Sequence, residues 1–335
     1  MSEAPQAARG ERRTRWVLPC ITVLVAFGVL WVGPVFVTPL SLLEDPVSRT
    51  IVLELRLPRI VGALLIGGAL GAAGVLLQAL LRNPLADPAL LGVSGGAALG
   101  AALVLAFTGA STLGLLLPVP IAAFVGALAA ALLVWRLGSV RGHLHLSAVL
   151  LAGIAVNTLA GALVGLLLAF GDDATLRSTS FWLFGSLTRI GWIALLPLAV
   201  LLVPALILLE RRSSDLDLYQ LGDREARHAG LAVTRLQWLL LVVSALLTAL
   251  AVALAGIVGF VGLMVPHLVR LVSGASHQGR VRDSALTGAM LLLVADALAR
   301  TAAAPAEIPL GLVTALIGAP FFLLLLRRTL RGSAT

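Results

Sequence analysis

Lysine is absent from this 335-residue chain; all 24 basic residues are arginine. A Walker-type phosphate loop needs a lysine on the phosphates. The chain therefore cannot hydrolyse ATP by that route, and lysine Schiff-base chemistry is excluded too. A single cysteine, Cys20, leaves no internal disulfide, no CxxC redox pair and no cysteine-rich zinc site. Charge is also scarce: charged residues are 12% of the chain, against ~25% in soluble domains. Hydrophobic residues are 59%. Despite a net charge of +8, this composition excludes a disordered or nucleic-acid-binding chain. At about 20 apolar residues per span, it supplies roughly ten transmembrane helices. The expected fold class is an all-α integral membrane protein.

The polar start, residues 1–15, carries Arg9, Arg12, Arg13 and Arg15. No small-residue cleavage site closes the apolar run that follows, so it reads as an uncleaved first span over 16–37. Further runs lie near 58–81, 91–117, 119–138, 146–170, 191–209, 235–256, 257–272, 284–303 and 308–326. The stretch from 235 to 272 is nearly continuous and divides at Gly256 and Gly259, which permit a tight re-entry. The reading is one ten-span domain over 16–328, with tails at 1–15 and 329–335 on the same side. Eighteen arginines fall on the side of the tails and six on the other. The positive-inside rule makes the arginine-rich side, and both termini, cytoplasmic.

Gly153, Asn157, Gly161 and Gly165 form an i+4 stripe on the fifth span; Gly67 and Gly71, and Gly311, Ala315 and Ala319, do so on the second and tenth. Close helix packing explains such stripes. A pathway wall is the sharper alternative, favoured on the fifth span by the polar Asn157. Arg56 and Arg59 flank Pro58, a residue suited to a helix's first turn, at the arginine-poor end of the second span. They read as headgroup contacts, as partners of Glu54, or as a cationic rim for an acidic partner. Asp296 and Arg300 have the spacing of an intrahelical pair, and Arg300 has the reach to join that rim. His267, and the pair His143 and His145, lack the further ligands a metal site needs. Residues 210–231 form the longest charged stretch on the arginine-rich side, broken by Gly222 and Gly230. Asp223–Ala229 has the length of two helical turns, fit either to lie on headgroups or to enter a groove on a cytoplasmic protein.

Several phrases, in order, then become recognisable: Arg56-Leu-Pro-Arg59; Arg82-Asn-Pro-Leu-Ala-Asp-Pro88; Leu91-Gly-Val-Ser-Gly-Gly96; Leu150-Leu-Ala-Gly153; Leu221-Gly222 with Gly230-Leu231; Gly256 to His267; Ala295-Asp296 with Ala299-Arg300; and Glu307 to Pro320. The chain resembles the FecCD-type permeases of binding-protein-dependent ABC importers, which take up iron–siderophores, haem and cobalamin. The resemblance implies a type II importer permease fold. It also implies a dimer with a second copy or a sister permease, and two separate ATPase subunits that bind ATP and Mg. An external binding protein would offer carboxylates to Arg56, Arg59 and Arg300. Coupling helices at about 213–231 would meet the ATPase through Leu221, Gly222, Glu225, Ala226, Gly230 and Leu231. The pathway would run past Gly153, Asn157, Gly161 and Gly165, with an inner gate near Leu146 and Ser147. The cargo expected for such a permease is a ferric siderophore first, then haem, then cobalamin. No cofactor is expected in the chain itself.

Two other classes fit less well. A gradient-driven transporter needs paired ionisable groups at mid-membrane, and Asp296 lies toward one end beside Arg300. A membrane enzyme needs a convergent catalytic or metal constellation such as HExxH, and the sequence has none.

Overall fold

Glycine, proline and charge divide the chain into helices in the computed structural model, which describes residues 4–108, 118–140, 143–273 and 277–332. In chain order they are α1 (Ala4–Trp31), α2 (Pro46–Leu81), α3 (Val93–Thr108), α4 (Pro118–Gly138) and α5 (Leu146–Phe170). A short α6 (Asp173–Leu183) precedes α7 (Trp192–Arg211), and short α8 (Ser213–Gln220) and α9 (Asp223–His228) precede α10 (Val233–Ala255). The chain ends with α11 (Val261–Ser273), α12 (Arg280–Thr301) and α13 (Leu310–Gly332). Six helices, α2, α4, α5, α7, α10 and α12, are long and apolar enough to cross a membrane, and α1, α3, α11 and α13 carry shorter apolar stretches. These match the expected spans in order. A minimal hairpin pairs β1 (Ser139–Val140) with β2 (His143–Leu144) beside the all-helical bundle. Residues 109–117 of the third expected span, residues 1–3 and 333–335 of the two tails, and the side chain of His143 lie outside the described residues. The expected tail and first span form one continuous helix from Ala4.

Helix α2 is the axis of the bundle and packs against α12, α10, α11 and α7. Its glycines allow that contact. A Cβ on Gly67 would strike the Gly288 carbonyl, one on Gly71 the Ser284 carbonyl, and one on Gly74 the Gly262 carbonyl. The second-span stripe is therefore a packing seam, as small residues between membrane helices commonly are. Gly311 on α13 does the same against the Phe184 and Ile257 carbonyls, whereas Ala319 is exposed.

Pro58 does not start a helix. Helix α2 begins at Pro46, N-capped by the Asp45 carboxylate, which accepts from Val47 N and Ser48 N at 3.0 Å each. Residues Ile51–Arg56 then widen into a π-helical turn, with Leu57 N donating to Val52 O. Proline lacks an N–H and crowds the carbonyl four residues back. A π-turn just before it relieves that conflict, so Arg56 and Arg59 lie within a continuous helix. The break between α10 and α11 falls at 256–260, where Gly256 has φ 71°.

Candidate functional site: two charged ends joined by the bundle

At the arginine-poor end, Arg59 is 9% exposed. Its Nε donates to both Asp296 oxygens, at 2.7 and 3.0 Å. Its Nη1 and Nη2 donate to the Glu307 carboxylate at 3.0 and 3.2 Å. Thr188 Oγ1 donates to Glu307 at 2.7 Å. Arg300 Nη2 donates to Val29 O at 2.9 Å, while its Nε lies 3.7 Å from Asp296, too long for a hydrogen bond. Arg56 Nη1 donates to Leu30 O at 2.9 Å, and its Nη2 to Val35 O. Val29 and Leu30 sit in the last turn of α1, where carbonyls lack helical partners and cations are favoured. Arg56 and Arg300 thus cap α1, and Arg59 joins α2 to α12 and to the segment before α13.

All three expected rim arginines are thus gathered, but their side chains are buried and paired rather than presented as an open rim. Glu54 is exposed and is not the partner of Arg59. The burial of Arg59 is offset by two hydrogen-bonded carboxylates, whereas Arg56 relies on backbone carbonyls alone. Glu307 is the exposed member, its side chain 37% accessible. Burial acts to raise its pKa, but the hydrogen bonds from Arg59 and Thr188 prevail and hold it below the usual range.

At the arginine-rich end, α8 and α9 are clamped to the end of α2. Arg82, in the left-handed conformation, lays its guanidinium 4.0 Å from the Tyr219 ring centroid. It donates to Tyr219 O at 2.7 and 3.0 Å and to Asp223 Oδ1 at 2.5 Å. The fully buried Tyr219 donates its hydroxyl to Leu80 O at 3.1 Å and accepts from Gln237 Nε2 at 3.1 Å. Gln220 Nε2 donates to Ala79 O at 3.1 Å. A second tie runs to α12: Asp217 Oδ1 accepts from His277 N at 2.8 Å and from Nδ1 at 2.7 Å. Arg280 Nη1 lies 3.2 Å from His277 Nε2. A ring that donates from Nδ1 and accepts at Nε2 is neutral. Burial pushes the His277 pKa down, and nearby Arg280 and Arg270 add to this against the opposing pull of Asp217.

The expected coupling residues lie together on this clamped element. Gly222 and Gly230 bound α9 with φ of 123° and 86°. Leu221, Glu225 and Gly230 are exposed, Ala226 is buried and Leu231 is half-buried against the core. Arg82, Tyr219, Gln237, Asp217 and His277 are the members that sequence reading missed. Tyr219 offered a signal, being the one tyrosine of the chain, set in the longest charged stretch on the arginine-rich side.

The fifth-span stripe does not stay on one face. Gly153 packs against the Leu90 carbonyl, and Asn157 bridges two segments, donating to Ala89 O at 2.8 Å and accepting from Gly95 N at 3.0 Å. Gly161 and Gly165 are exposed, with open space where a Cβ would stand. Four residues exceed one 3.6-residue turn, so the row winds from the packed side to an uncovered apolar one that includes Leu151, Leu159 and Leu166. Leu146 and Ser147 form the first turn of α5, half-buried and exposed respectively. Among the described residues no three His, Cys, Asp or Glu converge as metal ligands.

A solved structure described as an inward-facing metal-chelate type ABC transporter matches this fold with a TM-score of 0.83 and 34% identity. The match covers 95% of this chain and 99% of that one. Bundle, clamped charged element and likeness together define a multi-pass ABC importer permease of type II fold. The chain belongs to the FecCD transport family, whose family model matches residues 17–328. It is similar to the hemin transport system permease protein HmuU of Yersinia pestis, 47% identical over 82% of this chain and 83% of that protein. It is also similar to the vitamin B12 import system permease protein BtuC of Vibrio vulnificus, 39% identical over 95% of each chain.

Proposed function

We propose that this chain is the membrane subunit of a binding-protein-dependent importer that moves an iron chelate inward, with both termini cytoplasmic. The observation that carries the reading is α8–α9, a charged element clamped to α2 and to the start of α12 at the arginine-rich end. Two ATPase subunits, binding ATP and Mg, grip its exposed residues Leu221, Glu225 and Gly230. Closure of the ATPases pulls on α9, and Arg82 and Asp217 pass the displacement to α2 and α12. A ligand shifts such an equilibrium only through its differential affinity for the two states, here supplied by ATP. A second permease subunit covers the bare apolar face of α5, and cargo passes between the two subunits beside Gly161 and Gly165. Leu146 and Ser147 stand at the inward end of that path.

At the other end, an acidic binding protein docks over Arg56, Arg59 and Arg300. Because these arginines are already paired, an incoming carboxylate gains access by replacing exposed Glu307 on Arg59. Within the iron chelates, similarity to a hemin permease favours haem over the ferric siderophore expected from sequence. The cargo test is uptake by the importer reconstituted in vesicles with its partner subunits. Haemin, a ferric hydroxamate and cobalamin are offered in competition. Preferential accumulation of haemin supports the haem reading; accumulation of the hydroxamate alone returns the cargo to the siderophore class, and cobalamin alone overturns the iron-chelate reading.

A further inference from the structure

Helices α4 and α10 pack against each other but leave an apolar groove of about 160 Å³ between them. Leu128, Leu132 and Trp135 line one wall; Trp238, Leu241 and Ala245 line the other. Trp135 and Trp238 meet edge to face, with ring centroids 4.8 Å apart. Among the described residues Trp135 Nε1 is buried without a hydrogen-bond partner, so the ring offers the groove its apolar surface. Two exposed arginines stand at the same end: Arg136, next to Trp135, and Arg235, one turn from Trp238. Neither has an ion-pair partner among the described residues.

These observations ask for one ligand with two properties: an apolar chain and a negative group beyond its end. Tryptophans at span ends mark the depth where acyl chains meet headgroups. We propose that the groove binds one anionic phospholipid from the arginine-rich leaflet. An acyl chain lies between α4 and α10 against the Trp135–Trp238 pair, and the phosphate sits by Arg136 and Arg235. The site is independent of cargo and of the coupling element.

The test uses the full chain purified in detergent. It is incubated with phosphatidylglycerol or phosphatidylcholine, and retained lipid is counted by native mass spectrometry. About one phosphatidylglycerol per chain should remain, favoured over phosphatidylcholine by at least about tenfold, since each arginine near an anionic headgroup adds a several-fold attraction. Arg136→Ala with Arg235→Ala, both on the surface, should erase the preference between the two lipids. Trp135→Ala, which removes much of one wall, should weaken retention of both several-fold, and Ala245→Phe, which fills the groove, should abolish it. Equal retention of the two lipids by the unmodified protein would overturn the proposal. So would undiminished retention by Trp135→Ala, or a preference that survives loss of both arginines. Should Ala245→Phe fail to insert, the surface arginine pair still decides the matter.

Discussion

Arg59 and Asp296 are separated by 237 residues in sequence and by 2.7 Å in space. Their contact holds α2 to α12 at the arginine-poor end, and Asp296 is almost wholly buried. Removing one member of a buried pair leaves an uncompensated charge and costs about 3–5 kcal/mol. Asp296→Ala should therefore lower the thermal midpoint in detergent far more than Glu307→Gln, whose site is partly exposed. Equal shifts for the two variants would mean that the Asp296 contact contributes no more than a surface pair.

Glu307 shares Arg59 with Asp296 and faces solvent. If a partner carboxylate must replace it, Glu307→Gln should strengthen binding-protein docking by roughly tenfold, or about 1.4 kcal/mol. Arg59→Ala should weaken docking by a similar factor, and both effects should shrink with rising salt. The measurement is binding-protein affinity for the reconstituted permease at low and moderate salt. Weaker docking by Glu307→Gln would show that the carboxylate helps the partner rather than competing with it.

Gly222 has φ 123°, a conformation that side chains rarely adopt. Gly222→Ala should disturb the start of α9 and reduce transport while leaving insertion intact. Tyr219→Phe keeps the ring under Arg82 but removes the hydroxyl bonded to Leu80 and Gln237. It should lower cargo-stimulated ATP turnover by several-fold, because a net hydrogen bond is worth about 1 kcal/mol. Full transport after replacing Leu221–Leu231 with a Gly/Ser linker would remove the coupling role from this element.

His277 is neutral in the fold, and burial sets its pKa below the ordinary value of 6.5. The unfolded chain therefore takes up a proton first as pH falls. The contribution of His277 is fully present above about pH 6.5 and is lost as pH falls through its lower folded pKa. Thermal midpoints measured from pH 7.5 down to 5.5 should decline, and His277→Asn should flatten that decline. An identical slope in the variant would assign the acid sensitivity to other groups.

The spans were legible because bilayer thickness imposes a length on apolar runs, and each run ends at charge, glycine or proline. A short charged helix between Gly222 and Gly230 was legible from those two glycines and its charge, whereas a coupling role for it came only from the family resemblance. Burial of the arginines was not: the acids that pair with Arg59 lie 237 and 248 residues away. Pro58 misled for a local reason, since a proline in an apolar run reads as a start and the π-turn that accommodates it leaves no mark in composition. The stripe from Gly153 to Gly165 was correctly seen as helical, but spacing alone could not show where neighbours stop covering it. Tyr219 and Arg82 escaped because each bonds partly to backbone carbonyls, which any sequence supplies, and otherwise to side chains elsewhere in the chain, Gln237 and Asp223.

In the proposed cycle, ATP energy delivered at α8–α9 drives cargo through this chain. The most direct measurement is accumulation of iron chelate in vesicles containing the permease with its ATPase and binding-protein partners, with and without ATP and vanadate. Accumulation should need ATP and the binding protein, stop with vanadate, and ignore an imposed proton or sodium gradient. Accumulation driven by such a gradient without ATP would contradict it.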